Sequence, residues 1–256
     1  MILADTVSPA GARLTTMLLR YPRFIHPELL THRAFSRSSE SSRAVNTVKR
    51  SRLSTYTPAV IGRDGRGMLA ACNLSGWRLA LARFGWRVGV AGSHVSAWVM
   101  RRAGAHKQHC NRPLDWCAYI EVIVTGDGQA WDNFFRLRCH PAAQPEMQTL
   151  AYDAEAAYHT SAPRSGSYHV PYDIGPEYTL EDRMKASAGY CAGISYLSHG
   201  EAPVAQAFAV AGKLQSANPR HDGPFEHQAL ACRDPDQCNA NLHGWVSQRH
   251  LMETAA

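Results

Sequence analysis

The chain has 256 residues, of which 45% are hydrophobic and 19% charged, with a formal net charge of +6. That length and apolar content can bury a core, which excludes a wholly disordered chain, and no apolar run approaches the ~20 residues of a membrane span. The positive excess is spread out, with no Lys/Arg block, so it suits an anionic small molecule and argues against a nucleic-acid polymer or a membrane as partner.

The opening residues, MILADTVSPAGARLTT, lack the basic-then-apolar order of a secretory signal. The run from Ala12 to Phe24 is apolar and β-branched and is stopped by Pro22, which predicts a strand. Pro27 then suits the first turn of a short helix, PELLTHR. From Arg33 to Arg43 the chain sets Arg33, Arg37 and Arg43 among serines, and this stretch reads as a loop. Arginine offers forked, permanently charged donors that suit phosphate, and small serine side chains let a phosphate approach the backbone. A phosphate-bearing ligand is expected there. GRDGRG, residues 62–67, reads as a turn; no strand and helix flank it as a dinucleotide loop requires.

From Trp77 an apolar stripe passes through Leu81, Phe84, Val88, Ala91, Val95 and Val99 at steps of three or four, which predicts a buried core helix. Gly85, Gly89 and Gly92 weaken it or permit close packing. In HKQHC, the residues His106, His109 and Cys110 fall short of the four spaced ligands of a zinc site, so no metal is expected. YIEVIVT, Tyr119 to Thr125, predicts a strand, and WDNFFRLR begins a helical region. Pro145 opens a helix with Met147, Leu150, Ala151, Ala154 and Tyr158 on one face. Residues 161–183, rich in Pro, Gly, Ser and Tyr, read as a long loop. ASAGYCAGISYL and AQAFAVAGKLQ suggest small-residue helices or strands, and FEHQAL and GWVSQ have strand character. The mix predicts an α/β or α+β chain without internal repeats. Its seven cysteines, an odd number with no CxxC pair, argue for reduced thiols and a cytoplasmic location.

Three separated segments together resemble the flavin-dependent thymidylate synthases (ThyX). That family has an Arg-His-Arg motif followed by Ser-x-Asn-Glu-x-Ser-x-Arg-Tyr. Here His32, Arg33, Ser36, Ser41 and Arg43 match it, while Thr31, Ser38, Ser39 and Ala44 depart from it. A phage-like branch with THRxFSRNxxSSRA is closer. In the second segment, residues 106–146, Asn133, Arg138, Gln144 and Glu146 fall on family positions, with Arg112 on an upstream arginine. The third, HDGPFEHQA, matches His-x-x-Pro-Phe-Glu-His, a motif that in most members precedes Arg-His-Arg and here follows it. The motif order therefore resembles a circular permutation, as in the phage-like branch.

The resemblance implies an α/β fold of the ThyX kind, a mixed sheet with flanking helices. It implies a single catalytic domain over 1–256, assembled as a homotetramer with flavin sites between subunits. It also implies C5-methylation of a uridylate (UMP or dUMP) with no cysteine nucleophile. Reduced FAD relays the one-carbon unit from 5,10-methylenetetrahydrofolate and supplies a hydride, with NADPH as reductant, while the protein binds, orients and polarises. On the same footing Arg43, Ser41, Ser39, Arg112, Arg138 and Glu28 are assigned to the nucleotide, with Arg138 and Ser41 nearest the chemistry. Glu28 stands where the family has a nucleotide-binding Gln; its carboxylate could accept from a ribose hydroxyl but would repel phosphate. His32, Arg33, His221, Asn133 and Ser195 are assigned to the flavin, and Glu226 and His227 suit pairing within the fold. Ala44, in place of a family Tyr beside Arg43, leaves room for a ribose 2′-hydroxyl, an activity that would resemble the UMP/dUMP C5-methylases of polyoxin-type antibiotic pathways. A Cys139 thiolate beside His140 is the rival nucleophilic reading, disfavoured because neighbours in sequence need not face each other. The serine–arginine stretch and the HDGPFEH segment are expected to meet, across subunits, around nucleotide and flavin.

Overall fold

The computed structural model describes residues 1–68, 70–198 and 200–255. Strands β1 (Ile2–Val7) and β2 (Arg13–Pro22) form an antiparallel hairpin. A short helix α1 (His26–Leu30) follows, then strand β3 (Ser36–Ser39) and helices α2 (Thr47–Ser51), α3 (Gly76–Arg102), α4 (Lys107–Cys110) and α5 (Arg112–Asp115). Strand β4 (Tyr119–Asp127) runs into α6 (Gly128–Arg138), which is followed by α7 (Pro145–Thr160), β5 (Arg164–Ser165) and β6 (Tyr168–His169). Helices α8 (Leu180–Gly193) and α9 (Val204–Ser216) come next, then β7 (Ala229–Ala231), β8 (Cys238–Asn239), β9 (Leu242–His243), β10 (Trp245–Ser247) and α10 (Gln248–Thr254).

The main sheet has the order β3-β4-β2-β1-β5; all its pairs are antiparallel except β1 with β5. β6, β7 and β10 make a second, three-stranded sheet, and β8 and β9 a small hairpin. Strand alternation divides the main sheet into two differently clad faces. Met17, Leu19 and Tyr21 of β2 and Ile120, Val122 and Val124 of β4 point to one side. They pack against Leu29 of α1, Trp131, Phe134 and Phe135 of α6, and Met147, Leu150, Ala151, Ala154 and Tyr158 of α7. The apolar face expected of the Pro145 helix is therefore its buried face. Leu18 and Ile123 point the other way, onto Cys191 of α8 and Ile194 just beyond it. The result is three layers, with helices on both faces of a mixed sheet. α8 and α9 pack through small residues: a Cβ on Gly189 would lie 2.0 Å from the Ala207 carbonyl oxygen.

Helix ends follow local chemistry. Asp127 caps α6 by accepting from the Ala130 amide at 2.8 Å, Thr179 caps α8 from the Asp182 amide, and Pro145 opens α7.

Three expectations change. The serine-rich stretch is not all loop: Ser36–Ser39 forms an edge strand whose register against Thr125–Val122 is fixed by β4. Residues 161–183 include β5, β6 and the first turn of α8. The helix predicted from Trp77 forms, but its stripe is not core. Trp77, Leu81, Phe84, Val88, Val95, Trp98 and Val99 are 50–70% exposed. α3 packs inward by its other side, through Ser93 and Ala97 and with Gly89 against the Trp116 ring. Periodicity identifies an apolar face but says nothing of what covers it. Among the described residues no helix is long and apolar enough to cross a membrane.

Candidate active site

The alternation of β3 aims its side chains in two directions. Ser36 and Ser38 turn toward the α8 layer, where Asn241 Nδ2 donates to Ser36 Oγ at 3.0 Å and Ser38 Oγ pairs with His227 Nε2 at 2.8 Å. Arg37 turns toward the α1 layer and donates to the carbonyls of Leu30 and His32. Beyond the strand Glu40 is buried in an ion pair with Arg50, and a tight turn, residues 41–45, emerges from this anchor. Ser39 closes the strand opposite Val122 and stays outside the cavity described next.

That turn forms one wall of a cavity of about 950 Å³. Ser41, Arg43 and Ala44 line it on one side, Tyr190, Ser195 and Tyr196 at the end of α8, and Gln206, Val210 and Lys213 along α9. His221 and Pro224 of the HDGPFEH segment complete it, with His106 and Gln108 beside α4. Arg43 and Lys213 supply positive charge, several hydroxyls surround them, and no carboxylate is among the lining residues. Such a lining accepts an anion that also has ring or ribose surface to bury. The serine–arginine turn and the HDGPFEH segment thus share one cavity within a single chain, where the sequence reading expected them to meet across subunits.

The segment is held to the sheet by a buried hydrogen-bonded chain. His169 Nδ1 pairs with Thr6 Oγ1 at 2.9 Å and its Nε2 with Thr16 Oγ1 at 2.7 Å. Thr16 Oγ1 pairs with Thr125 Oγ1 at 2.7 Å, Thr125 Oγ1 with His227 Nδ1 at 2.8 Å, and His227 with Ser38. Burial alone holds His227 at a pKa of about 3, and burial above all does the same to His169, so both rings are neutral. Glu226 pairs with Arg249. His227 and Glu226 therefore both pair within the fold.

The other half of the predicted residues lies on the opposite face of the sheet. Arg138, at the end of α6, donates from Nε to His32 Nε2 at 2.9 Å, from Nη1 to Glu28 at 3.5 Å, and from Nη2 to Thr31 Oγ1 at 3.1 Å. Accepting from a guanidinium requires an unprotonated ring nitrogen. Burial first, then the nearby Arg138 and Arg37, lowers the His32 pKa to about 4. His32 is buried and stands edge-on to the Phe134 ring at 5.0 Å. Glu28 is thus an ion-pair partner of Arg138, which resolves its unfavourable fit to phosphate.

Besides Ser39, three assigned residues join neither group. Arg33 is exposed at the end of the α1 turn. Asn133 is exposed on α6 and accepts from Arg136 at 2.8 Å, leaving Arg138 as the inward arginine of the two. Arg112 is exposed and pairs with Asp115 at 3.4 Å. The cysteine reading loses its chemical basis: burial, then Glu155, raises the Cys139 pKa to about 11, so a thiol faces a carboxylate. Sequence reasoning missed Lys213, His106 and Gln108. The spacing Gln206, Val210, Lys213 on one face of α9 is the signal that marks the lysine.

Residues 8–164, more than half of the chain, match the family described as Thymidylate synthase complementing protein. The match stops short of the HDGPFEH segment, which follows it in this chain. A solved UMP/dUMP methylase, PolB from Streptomyces cacaoi, bound with 5-Br dUMP, is similar at 20% identity with a TM-score of 0.49. The similarity covers 57% of this chain and 66% of that one, just under two thirds of the relative's length. No curated protein matches the chain. On the family match, with the motifs it spans, the chain belongs to the Thymidylate synthase complementing protein family, that of the flavin-dependent thymidylate synthases.

Proposed function

We propose that the chain catalyses flavin-dependent C5-methylation of a uridine 5′-monophosphate, UMP or dUMP, with 5,10-methylenetetrahydrofolate as one-carbon donor and NADPH as reductant. The observation that carries this reading is the shared cavity. In a chain of this family, the serine–arginine turn and the HDGPFEH segment face one anion-suited space with no carboxylate in its lining. Ser41 and Arg43 take the nucleotide phosphate. Ser195 and His221 lie where a second, flat ligand can sit against the same space, and the hydroxyls and Lys213 suit the phosphates of a dinucleotide, so the residues fit FAD. Bound there, the flavin supplies the one-carbon carrier and the hydride. The protein's part is to orient the uracil ring and to place cationic donors where negative charge develops on it.

Arg138, His32 and Arg33 complete the site from another copy. Within one chain the sheet stands between Arg138 and the cavity, so both arginines can reach one nucleotide only if two subunits share it. The exposed stripe of α3 is the surface on which copies pack, and its 4-3 spacing suits helix-on-helix contact. Residues 1–256 then act as one catalytic unit of a homotetramer. Ala44 lines the cavity beside Arg43 and leaves space for a 2′-hydroxyl, which favours UMP as well as dUMP.

The test is incubation with FAD, NADPH, methylenetetrahydrofolate and each of UMP, dUMP and CMP, followed by product mass. A gain of one methylene unit on a uridylate is expected. A hydroxymethyl product, or nucleotide binding without turnover, replaces the reading. UMP turnover more than about a thousandfold below dUMP, roughly 4 kcal/mol of discrimination, leaves a strict thymidylate synthase.

A further inference from the structure

The turn bearing Ser41 and Arg43 is held in shape by two residues to which no motif position was assigned. Asn111, between α4 and α5, is fully buried. Its Nδ2 donates to the Ser42 carbonyl at 2.7 Å and the Val45 carbonyl at 2.9 Å, tying both ends of the turn. Four residues earlier, Lys107 Nζ donates to the Ala44 carbonyl at 2.8 Å. The Ser41 carbonyl is taken by the amides of Ala44 and Val45. All four carbonyls are therefore fixed. In a trans peptide the C=O and the following N–H point in opposite directions. Drawing the Ser42 carbonyl to Asn111 thus aims the Arg43 amide away from α4 and α5. Among the described residues the amides of Ser42 and Arg43 donate to no protein acceptor. Ser41 and Arg43 line the cavity, and the Arg43 amide, the Ser41 hydroxyl and the Arg43 guanidinium together suit one phosphate group.

We propose that Asn111 and Lys107 are positioning residues for nucleotide binding, which keep the Ser41–Arg43 turn in its phosphate-receiving shape. This rests on the reading that the turn receives the nucleotide phosphate. Lys107 spends its charge on a backbone carbonyl, so its removal acts on turn geometry.

The experiment measures KM and Kd for UMP and dUMP, Kd for FAD, kcat and Tm for the wild type, Arg43→Ala, Lys107→Met, Lys107→Arg, Asn111→Asp and the double variant Arg43→Ala/Lys107→Met. Asn111→Asp puts an oxygen against two carbonyls and is the harsher variant; Lys107→Met removes one contact and keeps the fold testable if the other fails to fold. Lys107→Met is expected to raise the nucleotide KM and Kd roughly 5- to 20-fold, with kcat and FAD affinity within about twofold. Lys107→Arg restores most of the loss. Arg43→Ala/Lys107→Met binds no more weakly than Arg43→Ala alone, because both act through one turn. Wild-type nucleotide affinity in Lys107→Met, when Arg43→Ala is impaired, overturns the positioning role. So does an equal loss of FAD and nucleotide affinity with a lowered Tm. If Arg43→Ala itself binds normally, the phosphate reading of the turn fails and the positioning role falls with it.

Discussion

The two faces of the main sheet hold arginines in opposite states. On the α8 side, Arg43 stands exposed at the wall of a cavity, on a turn in which the carbonyls of Ser41, Ser42, Ala44 and Val45 are engaged. On the α6 side, Arg138 is half-buried and already held by His32, Glu28 and Thr31. One is an open cation on a prepared backbone; the other is a guanidinium whose direction is set by the protein before any ligand arrives. The difference teaches that one chain keeps its open arginine and its pre-oriented arginine on separate faces. On the proposed function the two serve one nucleotide, which makes assembly part of the chemistry and gives the uncovered stripe of α3 a partner.

The largest effect is expected from the surface that would join the halves. Val88→Asp places a charge amid the exposed α3 stripe, where the isolated fold tolerates it and a packed interface does not. Light scattering should report dissociation, circular dichroism an intact fold, and activity should fall below detection. Unchanged assembly and activity would remove α3 from the account. Next come the arginines. Arg43→Ala and Arg138→Met should each weaken nucleotide binding by roughly 10- to 150-fold, the range for a hydrogen bond to a charged group. Normal titration by either variant takes that arginine out of the site.

Acid should act on both faces. The folded-state pKa values of His169 and His227, about 3, and of His32, about 4, lie below the ordinary 6.5. Between those limits the unfolded chain binds more protons, so the stability from the neutral rings is complete above about pH 6.5 and is lost as pH falls toward 3. Protonating His32 also forfeits its bond from Arg138. The urea midpoint should decline steadily over this window; a flat profile would mean the rings are not held neutral. The smallest effect is expected from Thr125→Val, which cuts the buried chain at its centre. It should cost about 1–3 kcal/mol and lower Tm by roughly 2–10 °C, read by calorimetry.

Much of the frame is legible in the residues. β2 and β4 announce themselves by apolar, β-branched runs, one ended by proline, and the buried face of α7 by its period. β3 does not, because SRSS has no strand propensity and becomes a strand only by hydrogen-bonding to the edge of β4. The α3 stripe marks a helix but not a buried one, since periodicity does not say whether an apolar face meets the chain's own core. In the candidate site, Ser41, Arg43, Ser195 and His221 line one cavity of a single chain, where the resemblance implies a meeting across subunits. Arg138 and His32 meet each other on the far face, a division that motif order along one chain cannot express. Asn111 and Lys107 carry no local signature, because what they hold is backbone some sixty residues away.

Complementation between subunits tests the divided site most directly. Arg43→Ala and Arg138→Met, each expected to be nearly inactive alone when nucleotide is held well below the weakened Kd, are co-expressed and the mixed assemblies isolated. If two chains share each nucleotide, some sites receive Arg43 from one copy and Arg138 from another, and activity returns to a substantial fraction of wild type. Mixed assemblies that form but stay as inactive as their parents would contradict the account.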